Sequence, residues 1–290
     1  MKISGFTFIR NAIKYDYPIV EAIKSILPIC DEVVIAVGKS DDATLSLIQN
    51  IDPKIKIIET VWDEKLKEGG EVLAAETNKA FHAVDANSDW CFYIQGDEAI
   101  HEKYLDTAHA AMQKYKDDKN VDGLLFKYMH FYGSYDYVGN SNKWYRNEIR
   151  VIKNNKSIYS YRDAQGFRKG NNEKLNVKPV DAYIYHYGWV REPHAMQAKF
   201  NSFGSLWNGD EWSAGAEKKY NGPFDYSQID SIEKFTGTHP KVLGDRIKKM
   251  NWKFERDLSY NNLTLKDKFK NLVEKLTGKR PFDYKNYKIV

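Results

Sequence analysis

The sequence predicts an α/β fold: a doubly wound mixed sheet, parallel in its first half, with a helical C-terminal extension. Three observations carry this. Short apolar runs alternate with helix-spaced segments through the first 115 residues. Two of those runs, 33–37 and 90–94, are continuously apolar, as strands covered on both faces are. After residue 120, strand-like segments follow one another with little helix between them.

Taken in order, Ile3 to Ile9 reads as the first strand. Ile19, Ala22, Ile23, Ile26 and Leu27 fall at helical spacing within 18–27. A strand over 33–37, a helix over 44–51, a strand over 55–58 and a helix over 71–84 follow. The strand at 90–94 comes out of the turn Asn87-Ser88-Asp89, and a helix over about 103–114 closes the repeat. This β-α-β-α-β-α-β order implies a parallel sheet with helices on both faces. Segments 124–131, 144–152 and 182–187 read as strands of a mixed extension. Helices are expected over 193–206 and 240–250, with a long loop over 207–223 between them. The last helix starts at Thr264-x-x-Asp267, close to a capping box, and stops at Gly278 with Pro281 beyond. The expected division is 1–190 as the catalytic unit and 191–290 as a helical extension packed on it.

Composition narrows the function. In 290 residues, 44 Lys and Arg stand against 40 Asp and Glu, for a formal net charge of +4. A dedicated nucleic-acid binder would be more basic, so none is expected as a partner. The excess sits in 266–290, with eight Lys or Arg against three acids. Cys30 and Cys91 alone exclude a disulfide scaffold or a structural zinc cage, and buried free thiols in a reducing compartment are expected. The N-terminus lacks the pattern of a signal peptide, and no stretch reaches the ~18 apolar residues of a membrane span. The expected location is therefore cytoplasmic.

Ligands on open α/β sheets bind beyond the carboxyl ends of the strands. That rule selects Arg10-Asn11, the segment 37–42, and Gln95 to Glu98. In the last, an apolar strand runs into Gly96 and then Asp97-Glu98. Carboxylates there can hold Mg²⁺ or Mn²⁺, which take oxygen ligands and share them with substrate phosphates. The plainer alternative is a pair of solvated acids opening the next helix.

Together these pieces resemble glycosyltransferase family 2, the inverting nucleotide-sugar enzymes of GT-A fold, over roughly residues 1–190. Arg10-Asn11 is similar to the family's Arg-Asn after the first strand. Asp31-Glu32, the apolar strand and Ser40-x-Asp42-x-Thr44 resemble its second element. Asn78 falls where the family has an Asn, and Asp97-Glu98 where it has Asp-x-Asp-Glu. Arg150-Val151-Ile152 and His186-Tyr187-Gly188-Trp189 resemble its Arg-Leu-Phe and His-Tyr-Gly elements. Three departures stand out: Val37 for a base-reading Asp, Gln95 for the first acid of Asp-x-Asp, and Thr77 for an Arg.

The resemblance implies a metal-dependent glycosyltransferase taking a nucleotide-sugar donor and a glycan or lipid-linked acceptor, with Mn²⁺ or Mg²⁺ as cofactor. Arg10, Asn11, Asp42, Asn78, Gln95, Arg150, Trp189 and Arg191 would bind substrate or nucleotide. Asp97, Glu98 and His186 would hold the metal. Asp163 is the expected general base, with Glu148 and Glu102 as alternatives. A nucleotidyltransferase of sugar phosphates, or a non-catalytic glycan- or nucleotide-binding module, remains open as an alternative function. In the last helix, Leu265, Phe269, Leu272, Val273 and Leu276 share one face and lysines lie elsewhere. The preferred reading docks that face on the domain. The alternative lays it peripherally on an anionic membrane surface, at the inner face.

Overall fold

A computed structural model describes the chain except for residues 67, 209–221, 260, 279 and 282–283. Its core is the predicted parallel unit. Strand β1 (Ile3–Ile9) pairs in parallel with β2 (Glu32–Gly38) and β4 (Trp90–Tyr93), and β3 (Ile55–Thr60) pairs in parallel with β2. Successive strand residues point to opposite faces, so both faces must be apolar to be buried. They are. Val33, Ile35 and Val37 face one hydrophobic cluster with helix α1 (Ile19–Ile26). Val34 and Ala36 face another. Helix α2 (Thr44–Gln49) follows β2, and helix α3 (Glu71–His82) supplies Ala80 and Phe81 to that second cluster. Helix α4 (Leu105–Tyr115) joins the first cluster through Ala108 and Met112, and Met112 O accepts from the buried Trp90 indole at 2.9 Å.

The second half turns the sheet mixed. Strand β8 (Asn147–Lys153) lies antiparallel between β4 and β6 (Gly123–Tyr132). The 17-residue β11 (Glu173–Trp189) runs parallel to β6. The path is completed by the hairpin β9 (Ile158–Tyr161) and β10 (Gly166–Lys169), giving the order β3-β2-β1-β4-β8-β6-β11-β10-β9. Short β5 (Glu98–Ile100) adds antiparallel to β11, opposing Glu98 to His186. The two acids therefore do not open a helix in solvent; Asp97 is 8% and Glu98 1% exposed.

The C-terminal hundred residues are not a purely helical extension. Helices α5 (Pro193–Asn208), α6 (Gly244–Lys248) and α7 (Leu265–Thr277) are present. Strand β12 (Ile232–Lys234) pairs with β7 (Tyr137–Gly139), and β13 (Tyr287–Ile289) pairs with β11. The chain end is thus stitched into the central sheet, and the expected boundary at 190 does not separate two units. Of the loop expected over 207–223, residues 209–221 and the Trp207 side chain lie outside the described residues. The capping box at α7 is as read: Thr264 Oγ1 accepts from Asp267 N at 3.2 Å, and Gly278 closes the helix at φ 66°. Cys30 and Cys91 are buried and unbridged, and burial raises the Cys91 thiol to about 12.

Candidate active site

A cavity of about 590 Å³ opens at the carboxyl ends of β1 and β4. Arg10, Gln95, Asp97, His186, Asp163 and Glu148 all line it. The topology explains the convergence. β1 and β4 are parallel neighbours, β11 brings His186 opposite Glu98, and the β9–β10 hairpin carries Asp163 over the same opening.

At one end sits Asp97. Its Oδ2 accepts from Lys199 Nζ at 3.0 Å and lies 3.7 Å from Arg191 Nη2. Its Oδ1 faces His186 Nε2 at 3.8 Å. Burial alone would raise this carboxyl, but the Lys199 ammonium and the Arg191 guanidinium outweigh it and hold Asp97 ionised, well below the usual range. The His186 tautomer follows from its neighbours. His130 Nε2 lies 2.9 Å from Tyr145 O, which can only accept. A neutral His130 then accepts at Nδ1, 3.0 Å from His186 Nδ1, so His186 donates there. Burial depresses both imidazoles, His130 the more strongly, which keeps them neutral. The nitrogen left facing Asp97 is therefore a lone pair.

Two electron-pair donors 3.8 Å apart, with no proton between them, suit a cation. Two ligands each about 2.1 Å from one ion can span that gap. Gly188 keeps the space clear: a Cβ there would stand 2.4 Å from His186 Nε2 and 3.1 Å from Asp97 Oδ2. Asp97 and His186 would thus fit as two ligands of a divalent ion. Among the described residues no group of three or more His, Cys, Asp or Glu gathers to hold a metal.

Glu98 does not belong to that set. Its Oε1 accepts from Arg150 Nη2 at 2.7 Å and from the Tyr128 hydroxyl, and its Oε2 from Arg150 Nε at 2.8 Å and Gln95 N at 3.1 Å. A carboxylate so fully used has no lone pair to give a metal. The same pairing occupies Arg150, which lines the cavity yet is 1% exposed, and it anchors the acid loop.

Other expected contacts also prove to be scaffolding. Asn11 sits at φ 53° and ties its loop to the next, its Oδ1 accepting from Asp41 N at 2.8 Å and its N donating to Ser40 Oγ at 3.0 Å. Asp42 accepts from Lys14 N at 2.7 Å and Thr44 N at 3.0 Å. Asn78 clamps the backbone of Ser160 in β9, accepting at 2.7 Å and donating at 3.2 Å. Trp189 packs among Tyr132, Trp144 and Phe224. None of these four lines the cavity. Arg191 is fully buried behind Asp97, with Nε donating to Tyr15 O at 2.9 Å.

Arg10 and Gln95 do line it. Arg10 Nε and Trp62 Nε1 are buried with no hydrogen-bond partner among the described residues, and the Arg10 guanidinium lies 5.4 Å from the Trp62 ring centre. Unmet donors on a cavity wall call for an acceptor-rich ligand. Gln95 Nε2 donates to Ala164 O at 3.3 Å, tying the acid loop to the Asp163 hairpin.

The second end of the cavity is acidic. Burial raises the Asp163 carboxyl. Glu148 is raised to about 8 by burial, with Glu98 and Asp163 adding to the shift against Arg150. At neutral pH Glu148 therefore holds its proton. Its ordinary value is 4.5, so the stability it confers is complete below that and lost as pH rises through about 8. Glu148→Gln, which mimics the neutral acid, is expected to flatten the fall in Tm between pH 6 and 9. Equal slopes for wild type and variant in a thermal melt series would refute the assignment.

Lys199 is the residue sequence reasoning missed. It lies 102 positions from Asp97, on a helix expected only to pack.

No protein-family model matches the chain, and no curated protein matches it. Similar solved structures include S. aureus TarS, at 16% identity and TM-score 0.44 over 75% of this chain and 42% of that one. TarS 1–349 in complex with UDP-GlcNAc gives 16% and 0.43, over 75% and 70%. Glucosyl-3-phosphoglycerate synthase from Mycobacterium tuberculosis, in complex with Mn²⁺, UDP and glucosyl-3-phosphoglycerate, gives 16% and 0.30, over 46% and 45%. The chain spans less than half the length of the first of these.

Proposed function

We propose that this chain is an inverting glycosyltransferase that moves a sugar from a nucleotide diphosphate donor to a hydroxyl of a glycan or lipid-linked acceptor. One observation carries the reading. A single cavity has a diphosphate end, where Asp97 and His186 offer lone pairs beside the Lys199 ammonium, and a carboxyl end at Asp163 and Glu148. Transfer needs those two functions apart, one for the leaving diphosphate and one for the attacking hydroxyl.

The acceptor oxygen forms a bond to the anomeric carbon as the bond from that carbon to the diphosphate breaks. Asp163 takes the hydroxyl proton. The leaving diphosphate gains negative charge, and Lys199 stands ready to meet it, with Arg191 behind. Arg10 and Trp62 present donors to the nucleotide. A Mn²⁺ or Mg²⁺ ion on Asp97 and His186 supplies Lewis-acid neutralisation of the diphosphate when bound.

Near Asp97, one carboxylate meets two cations, so the free protein offers a divalent ion a net positive site. Mn²⁺ is therefore expected to bind together with a nucleoside diphosphate rather than before it. Calorimetric titration with UDP and with GDP, each with and without Mn²⁺, checks this. A nucleotide sugar that binds the native state raises Tm by mass action. Gly188→Ala, whose methyl fills the gap beside His186, is expected to abolish the Mn²⁺-dependent part in a folded protein. The reading fails if no nucleotide diphosphate or nucleotide sugar binds, or if binding is indifferent to cavity variants.

A further inference from the structure

Helix α7 is docked by its polar side and turns its apolar side outward. Leu265, Phe269, Leu272 and Leu276 are 86%, 62%, 53% and 75% exposed. Steps of four, three and four place them on one stripe. No residue of α7 is buried. The opposite side is what holds it. Asn142 Nδ2 donates to Asp267 O at 3.2 Å and to Asn271 Oδ1 at 2.9 Å, and Glu274 lies 3.5 Å from Arg146 Nε and 3.7 Å from Arg280 Nε. Of the apolar face expected to pack on the domain, Val273 is half-buried and the other four residues are turned outward.

We propose that α7 seats this protein on an anionic membrane surface, its Leu–Phe stripe entering the interface and its lysines meeting the headgroups. At 100° per residue, Lys266 falls on one flank of the stripe and Lys268 and Lys275 on the other. That is the pattern of a helix lying in the plane of a bilayer. A thirteen-residue helix is too short to cross, and no described helix is long and apolar enough to do so. A second copy of the chain suits the stripe less well, because pairing α7 with α7 sets lysine flanks against each other. The placement also bears on the acceptor, a point that rests on the transferase reading. Asn142, Arg146 and Arg280, which hold α7, line the cavity itself. A membrane under α7 thus lies beside the opening, where a lipid-linked acceptor would present its hydroxyl.

Flotation of the full chain with vesicles tests this without any donor, so it stands or falls separately from the transferase reading. Vesicles with about one-third phosphatidylglycerol are expected to carry the protein up the gradient, pure phosphatidylcholine vesicles are not, and raised salt should weaken the binding. Phe269→Glu with Leu272→Glu should cut vesicle affinity at least about ten-fold with little change in Tm, since both residues are more than half exposed and none of α7 is buried. Charge reversal of Lys266, Lys268 and Lys275 should do the same. Protein left in solution with anionic vesicles, or variants that float like wild type, would overturn the proposal. So would light scattering that shows a dimer broken by the stripe variants, which would assign the face to a second copy.

Discussion

Asn in place of Asp163 is expected to lower sugar transfer by about 10²–10⁴-fold, the range a positioned general base contributes. The fold holds this residue at some cost. Arg162 and Ala164 on either side are left-handed, at φ 55° and 61°. Such positions cost non-glycine residues on the order of 1 kcal/mol each. The strain persists because the hairpin is clamped, by Asn78 on Ser160 and by Gln95 on Ala164 O. Ala164 is buried against Val72 and Leu73. The carboxyl is also raised by burial, toward the value a base needs near neutrality. In the proposed role Asp163 meets the acceptor, so donor affinity should be unchanged. The measurement pairs kcat for transfer with donor Kd by calorimetry. Full turnover in a folded Asp163→Asn variant would remove Asp163 as the base.

Local pattern sufficed for the parallel unit, where β1 to β4 and α1 to α4 carry their own periodicity. The strand-end rule also selected Arg10, Gln95 and Asp97, which line the cavity, but Asn11, Glu98 and the segment 37–42 that it selected do not. What local pattern cannot show is which distant side chain satisfies a given polar group. Glu98 and Asp97 are neighbours in sequence with the same chemistry, yet Arg150 takes one and Lys199 the other, 52 and 102 residues away. Asn11, Asp42 and Asn78 match the motif of a nucleotide pocket, but their hydrogen bonds go to backbone and loop. Strands of three or four residues, such as β5, β10 and β13, are too short to show a period of two and exist because β11 and β9 offer them an edge. The apolar stripe of α7 was visible, but its direction was not, because docking through Asn142, Arg146 and Arg280 leaves no trace in hydrophobic periodicity.

Lys199→Met is expected to reduce kcat by about 10²–10³-fold, the loss seen when one preorganised charge-stabilising group is removed from a reacting site. The ammonium is held by Asp97 Oδ2 and Gly188 O, each at 3.0 Å, so it does not need to reorganise as the diphosphate leaves. Burial and the nearby Arg191 push it down to about 8 against the pull of Asp97. Below that it is charged, and in the free protein the affinity for a nucleoside diphosphate should fall as pH rises through about 8. A role in the leaving group differs from a role in folding by what it discriminates. Loss of a diphosphate contact weakens UDP more than UMP and uridine least, whereas a packing defect weakens all three alike and lowers Tm. Lys199→Arg keeps a cation that does not titrate in this range, so it should retain part of the turnover and lose the alkaline fall in UDP affinity. A methionine variant with wild-type kcat, or one that weakens uridine as much as UDP, would remove Lys199 from the reaction and leave it as a brace for Asp97.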